Sequence, residues 1–442
     1  MARGLARATS CILILLLGYG IAAAEESDVL PTPLTLEYAL SLLDTGHSLL
    51  LQARAAHQVA QARYRASAAQ DDLSVSLEAR ARWVIPPSSV GDEATDDHKG
   101  SLFVRQPLYD FGRTSTMQQA TQQEADAKSI RLQNQRDQQR LAIMRAYFNV
   151  LLADQENFRD NEAMAVSFIT LDRLRNRQEL GQSSDIEVLE QESLYQKVRT
   201  QVQQSESRQR LTRSQLANLL DRPGQLPSEL VTPSFDHETR PLLDYDRLLQ
   251  LAQQNNSTLQ ALQLELQAAH QRVANARSER LPRLDAELEA SSYSRELGSN
   301  DRWRAGITLS VPIYNGDRVD AVVAQAQAEQ MRLQGQLAQG QQELRQALLE
   351  SWFALKRLTL QREQARSELD YRELYLDRSR AQYEMEVTAD LGDAMVRLSD
   401  AQLALIRNDF DTALEWERLR TLVGVEMTAL LDVAGEIERG IE

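Results

Sequence analysis

The sequence predicts a mainly α-helical chain that also carries membrane β-strands, built as two repeats of one plan. Three observations predict it: two very long stretches with almost no helix breakers, short segments of strict two-residue alternation, and a motif that returns about 205 residues later.

The chain begins MARGLARATSCILILLLGYGIAAA, with Arg3 and Arg7 ahead of an apolar stretch at 11–17 and small residues at Ala22 and Ala24. This is the layout of a cleavable secretory signal, expected over residues 1–24. The stretch is well short of the ~20 residues that a spanning helix requires, so an uncleaved anchor is the second reading. Cys11, the only cysteine, lies inside it. The mature chain is therefore expected to hold no thiol, and so no disulfide, thiolate metal site or cysteine nucleophile.

Aromatic residues make up 5% and charged residues 26%, the profile of long helices with thin seams rather than thick cores. The formal charge of −15 speaks against nucleic acid as a partner, because phosphate binding needs a basic surface. No GxSxG, HExxH or GxxxxGK pattern occurs, so no enzyme activity, metal or cofactor is expected.

A first repeat is expected over 25–222: a helix, a β-hairpin at 73–109, a long helix at 113–180 and a return helix at 183–222. Residues 223–243 read as a linker. A second repeat follows at 244–424, with a helix, a hairpin at 284–313, a long helix at 317–384 and a return helix at 390–424, before a tail at 425–442. The long helices rest on the prolines: none occurs between Pro107 and Pro223 or after Pro312, and each proline inside a helix costs ~3 kcal/mol. Residues 113–180 contain no glycine either, which allows a helix of ~100 Å. The second long run is broken only by Gly335 and Gly340.

The hairpins rest on alternation. Leu73, Val75, Leu77, Ala79, Ala81, Trp83 and Ile85 alternate with Ser74, Ser76, Glu78, Arg80 and Arg82. The pattern recurs at 284–290 and 303–313, and is less regular at 101–109. Strands of ~10 residues with one apolar and one polar face match outer-membrane barrels; a soluble hairpin on a core is the alternative. Four strands cannot close a barrel, and an open edge in lipid leaves unpaired backbone groups that cost several kcal/mol each. Three copies would supply twelve.

The repeat is carried by PLYDFGR at 107–113, which returns as PIYNGDR at 312–318, and by AAHQ at 55–58, which returns at 268–271. After the long helices come ELGQSSDIEVLEQE at 179–192 and YEMEVTADLGDAMVRL at 383–398.

With these motifs in place, the chain resembles the TolC-like outer-membrane efflux family over essentially its whole mature length. The resemblance implies a homotrimer whose twelve-stranded β-barrel, set in outer-membrane lipid, continues into a long α-helical coiled-coil barrel in the periplasm. It implies a passive duct that docks by its helical tips with a periplasmic adaptor (membrane fusion) protein and works with an inner-membrane pump, exporting small molecules or ions. An outer-membrane component of type I protein secretion shares this architecture. A periplasmic coiled-coil adaptor or structural protein is the reading of another class, but it leaves the second helical hairpin and the amphipathic strands unexplained.

Asp390 and Asp393 are three residues apart and share a face if helical. The family resemblance implies that such a pair points into the narrow periplasmic entrance, where three subunits would gather six carboxylates; complementing the helix dipole is the plainer reading. Glu187 and Glu190 are their counterparts in the first repeat. Leu180, Gly181 and Gln182, with Glu386 and Val387 in the second repeat, mark the expected adaptor-docking tip. Glu386 stands where the first repeat has Gly181, which leaves the second turn's geometry open.

Overall fold

The computed structural model describes residues 30–45, 47–85, 95–235, 241–295, 300–385 and 391–425. The expected signal at 1–24 and nearly all of the tail at 425–442 lie outside the described residues. In chain order the elements are α1 (Leu36–Ser41), α2 (Ser48–Ala68), β1 (Ser74–Arg80), β2 (Lys99–Tyr109), α3 (Arg113–Glu179), α4 (Asp185–Leu219), α5 (Tyr245–Asn255), α6 (Ser257–Ser278), β3 (Arg283–Tyr293), β4 (Trp303–Ser310), α7 (Arg318–Glu384) and α8 (Leu391–Val423).

α3 and α7 each run for 67 residues, ~100 Å of uninterrupted helix. No isolated helix with so weak a seam would persist in water; packing sustains it. Near the strands, α3 lies between α2 and α6, and α6 reaches α7; farther on, α3 lies between α4 and α8, and α8 reaches α7. The helices thus form one layer, ordered α2–α3–α6–α7 beside the sheet and α4–α3–α8–α7 beyond it. The antiparallel sheet runs β1–β2–β3–β4 in the same lateral order.

The strand-to-helix motif owes its residues to the turn they make. Asp110 accepts hydrogen bonds from the backbone N–H of Gly112 (3.1 Å) and Thr114 (2.6 Å), capping α3. Gly112 sits at φ +87°, where a side chain would be strained. Arg113 and Arg318, the last residues of the two repeat motifs, converge on one carboxylate, Glu279 at the end of α6, at 3.8 and 2.9 Å. The two repeats are therefore joined at the base of the sheet.

Midway along the layer two apolar clusters thicken the seam. In the first, Phe148 of α3 stacks on Phe410 of α8 with ring centroids 4.5 Å apart. Beside them the buried Tyr147 hydroxyl points at the carbonyls of Leu34 (2.8 Å) and Val231 (2.6 Å), and those segments bond to each other through Leu34 N–H to Glu229 and Val231 N–H to Leu34, both at 2.9 Å. Burial pushes the Tyr147 phenol up to about 12. The second cluster gathers Leu248, Leu348, Trp416 and Leu419 from α5, α7 and α8.

The repeat is in register at its caps rather than at its most visible sequence match. His47 caps α2 and its Nε2 meets the Leu219 carbonyl at 2.5 Å; Asn256 caps α6 and donates to the Leu422 carbonyl at 2.9 Å. These caps are 209 positions apart. The AAHQ match is about one helical turn out of step with them, and its histidines differ accordingly: His57 is half-buried with Nδ1 3.2 Å from the Ala125 carbonyl, whereas His270 is exposed.

Candidate functional site

Strand register sorts the sheet into two faces. Leu77 pairs with Leu102, Leu102 with Ala290 and Ala290 with Trp303, and in the next row Val75, Val104, Leu288 and Ala305 lie side by side. Most of these apolar side chains are exposed, Leu77 at 77% and Trp303 at 73%, and Ile307 farther along the same face is 68% exposed. The apolar face continues to Ile313, which at ~3.3 Å per residue and a tilt of ~40° gives a band ~25 Å tall, the height of a bilayer's hydrocarbon region in such barrels. An uncovered apolar face of this extent needs lipid or protein against it.

The opposite face is polar. Its rows are Ser76, Phe103, Glu289 and Arg304, then Ser74, Arg105, Glu287 and Gly306. Lys99 meets Glu289 at 2.6 Å, Arg304 meets Glu289 at 3.4 Å and Arg105 meets Glu287 at 2.6 Å. Phe103, the large apolar residue on this side, is covered by Arg105 at 4.7 Å from its ring centroid and by Lys99 at 5.9 Å. Beyond the sheet, His98 packs edge-on against Trp83 at 5.4 Å, and its Nδ1 accepts from the Arg82 N–H at 3.3 Å.

At the far end of the helical layer, α3 stops in a tight turn. Gly181 N–H donates to the Gln178 carbonyl and Gln182 N–H to the Arg177 carbonyl, both at 2.8 Å, with Gly181 at φ +69°. This is the paired-bond termination that a left-handed residue permits. Leu180 is 72% exposed and Gln182 is exposed too. α4 restarts at once through a reciprocal cap: Ser184 Oγ accepts from Glu187 N–H at 3.3 Å, and the Glu187 carboxylate accepts from Ser184 N–H at 2.8 Å and Ser183 Oγ at 2.7 Å. These bonds, the Ser184 N–H first, hold the Glu187 carboxyl below its usual range. The cap therefore survives mild acidification and is lost only as pH falls through that lowered value. Glu190 is exposed one turn farther along.

Asp393 lies in the first turn of α8, half-buried, and Arg397 one turn on pairs with it. Asp390, Glu386 and Val387 lie outside the described residues. Glu187 and Glu190 belong to α4 and Asp393 to α8; both helices pack mainly on α3 and on their other neighbours rather than on each other, so one subunit does not gather these acids.

Two residues that the sequence reading passed over organise this end. A Cβ on Gly392 would stand 2.6 Å from Val166 Cγ1 and 2.8 Å from its Cγ2, so only glycine lets α8 begin this close to α3. From there the antiparallel pair is laced by Glu162 with Ser399, Arg159 with Asp400 (3.1 Å) and Glu156 with Arg407 (2.7 Å). The signal for Gly392 was the LGD triplet of the second tip; for Arg397 it was the four-residue spacing from Asp393.

Long paired helices joined to a sheet with one lipid-like face define the subunit of an outer-membrane channel. The outer membrane efflux protein family matches residues 40–222 and 248–425, one match for each repeat, and the chain belongs to this family. No curated protein sequence matches it. Solved structures share its fold: the outer membrane protein VceC of Vibrio cholerae (TM-score 0.73, 17% identity, 89% of this chain and 96% of that one), CusC (0.72, 19%, 88% and 92%) and the CmeC outer membrane channel of Campylobacter jejuni (0.71, 15%, 90% and 88%). The protein is thus an outer-membrane efflux channel with the TolC-like two-repeat fold, from a family of channels rather than enzymes.

Proposed function

We propose that three copies of this chain close into one duct: a twelve-stranded barrel in the outer membrane continuing into a helical barrel that occupies the periplasm. The observation that supports this reading is the coincidence of open edges. The sheet ends at β1 and β4, and the helical layer ends at α2 and α4 on the β1 side and at α7 on the β4 side. Exposed apolar side chains line these edges, among them Ile186, Leu189 and Leu211 on α4 and Phe353, Leu360 and Leu374 on α7. A head-to-tail ring joins unlike edges and leaves none open.

The duct is passive and draws its energy from partners: a periplasmic adaptor (membrane fusion) protein docking on the tip that includes Leu180, Gly181, Gln182, Glu386 and Val387, and an inner-membrane pump delivering small molecules or ions. Asp390 and Asp393 gate the periplasmic entrance, with Glu187 and Glu190 as secondary acids. Arg397 offsets part of the Asp393 charge.

Trivalent cations added on the periplasmic side of a planar bilayer are expected to block conductance, since a ring of carboxylates attracts them. Replacing Asp390 and Asp393 together with Asn should remove most of the block and leave the assembly intact, while Arg397→Gln should strengthen it. Full cation sensitivity in the double variant would move the gate to Glu187 and Glu190 or away from these acids altogether.

A further inference from the structure

Beside the sheet, where α2, α3, α6 and α7 lie abreast, a cavity of about 450 Å³ is lined by residues from all four helices. Helices in one layer are ~10 Å apart, so a single cavity of this size touches all four only on the side toward which the layer curves. In a closed cylinder that side is the bore; this placement rests on the trimeric duct proposed above.

The cavity's charge runs against that of the chain. Its lining holds five cations, Arg63, Lys128, Arg131, Arg272 and Arg332, against three carboxylates, Glu124, Glu265 and Glu329, in a chain of formal charge −15. Each carboxylate is already engaged: Glu265 by Arg131 at 2.7 Å and Lys128 at 3.8 Å, Glu124 by Arg272 at 2.6 Å, and Glu329 by Arg332 at 2.5 Å. In the first two groups the acids are the more covered partners. Glu265 is 16% exposed, but Lys128 and Arg131 remain 42% exposed; Glu124 is 22% exposed and Arg272 45%. The cationic heads therefore face the open space while the acids that orient them are withdrawn. Arg63 is exposed and has no ion-pair or hydrogen-bond partner among the described residues. Two positive charges are left uncompensated in a concave setting, and concavity concentrates their field.

From this arrangement we infer a binding site for a multivalent oxyanion, one per subunit, with Arg63 and Lys128 as its principal ligands and Arg131 and Arg272 held in place by Glu265 and Glu124. Arginine forks and a lysine ammonium are the donors that chains of phosphate or sulfate groups require, and the volume lies within the range of small-ligand pockets. Three such sites would form a basic belt around the bore, an anion-collecting station far from the acidic entrance.

The test is calorimetric titration of the purified full chain in a nonionic detergent with sodium tripolyphosphate. Saturable binding at one site per subunit is expected, weakening as salt is raised. Arg63→Gln should lower the affinity about tenfold, the loss of one charge-assisted contact, and Glu124→Gln should raise it by freeing Arg272. A purely structural cluster would move both variants the same way, and that result, or the absence of saturable heat with the unmodified protein, would overturn the site. Light scattering on the same samples separates the two proposals: a trimer without binding removes the site and leaves the duct, whereas a binding monomer keeps the site and removes the duct.

Discussion

Arginine in place of Ile307 or Ala79 is expected to deplete the outer membrane of assembled protein, by tenfold or more, with little change in the amount synthesised. Both residues lie on the apolar face fixed by the strand register, Ile307 opposite Ala286 and Ala79 opposite Gly100. A cation near the midplane of a membrane barrel costs ~2–4 kcal/mol, and a trimer would carry it three times. Ser76→Arg and Thr308→Arg place the same charge on the opposite face, the first two residues from Glu78 on its own strand and the second opposite Asp285, and should be tolerated. The measurement is the amount of heat-modifiable oligomer in outer-membrane fractions. Equal loss on both faces would mean that the lipid and water sides have been misassigned.

Gly392→Ala is expected to loosen the end of the helical layer where the proposed entrance lies. The new methyl would meet Val166 well inside contact distance, and overpacking of this kind costs ~1–3 kcal/mol unless the helices part. Parting α8 from α3 strains the pairs of Arg159 with Asp400 and Glu156 with Arg407, so single-channel conductance should rise several-fold. Adding Val166→Ala makes room for the methyl and should return conductance toward the starting value. If Gly392→Ala alone leaves conductance unchanged, the close approach of α8 to α3 does not hold the entrance shut.

What was legible in the sequence follows from what each feature depends on. The absence of Gly and Pro from 113–179 is a local property, and it sufficed for a helix of that length. The alternation of β1 and β4 is equally local. The irregularity of β2 was not resolvable from the strand alone: Phe103 is tolerated on the polar face only because Lys99 and Arg105 cover it there, and a register shift between Pro107 and Tyr109 ends the alternation. The cover comes from β2 itself, two and four residues from Phe103 on the same face, but the register shift exists only against β3. The tip shows the same division. Gly181 followed from the known need for a left-handed residue, whereas Gly392 is explained by Val166, more than two hundred positions away. Glu187 read as a counterpart of the aspartates because spacing was the available guide; the structure adds that its carboxylate caps α4, a local duty that an alignment of repeats does not reveal. The lining of the four-helix cavity was invisible for the same reason, since Arg63, Lys128, Arg272 and Arg332 stand on four different helices.

The central claim is that one chain is an incomplete channel, because its sheet and its helical layer are open on the same two sides. Light scattering coupled to size-exclusion chromatography tests it directly, after extraction from the outer membrane in mild detergent and correction for bound detergent. The expected protein mass is three times that of the subunit, unchanged on dilution. A monodisperse monomer, stable under the same conditions and still folded, would contradict it.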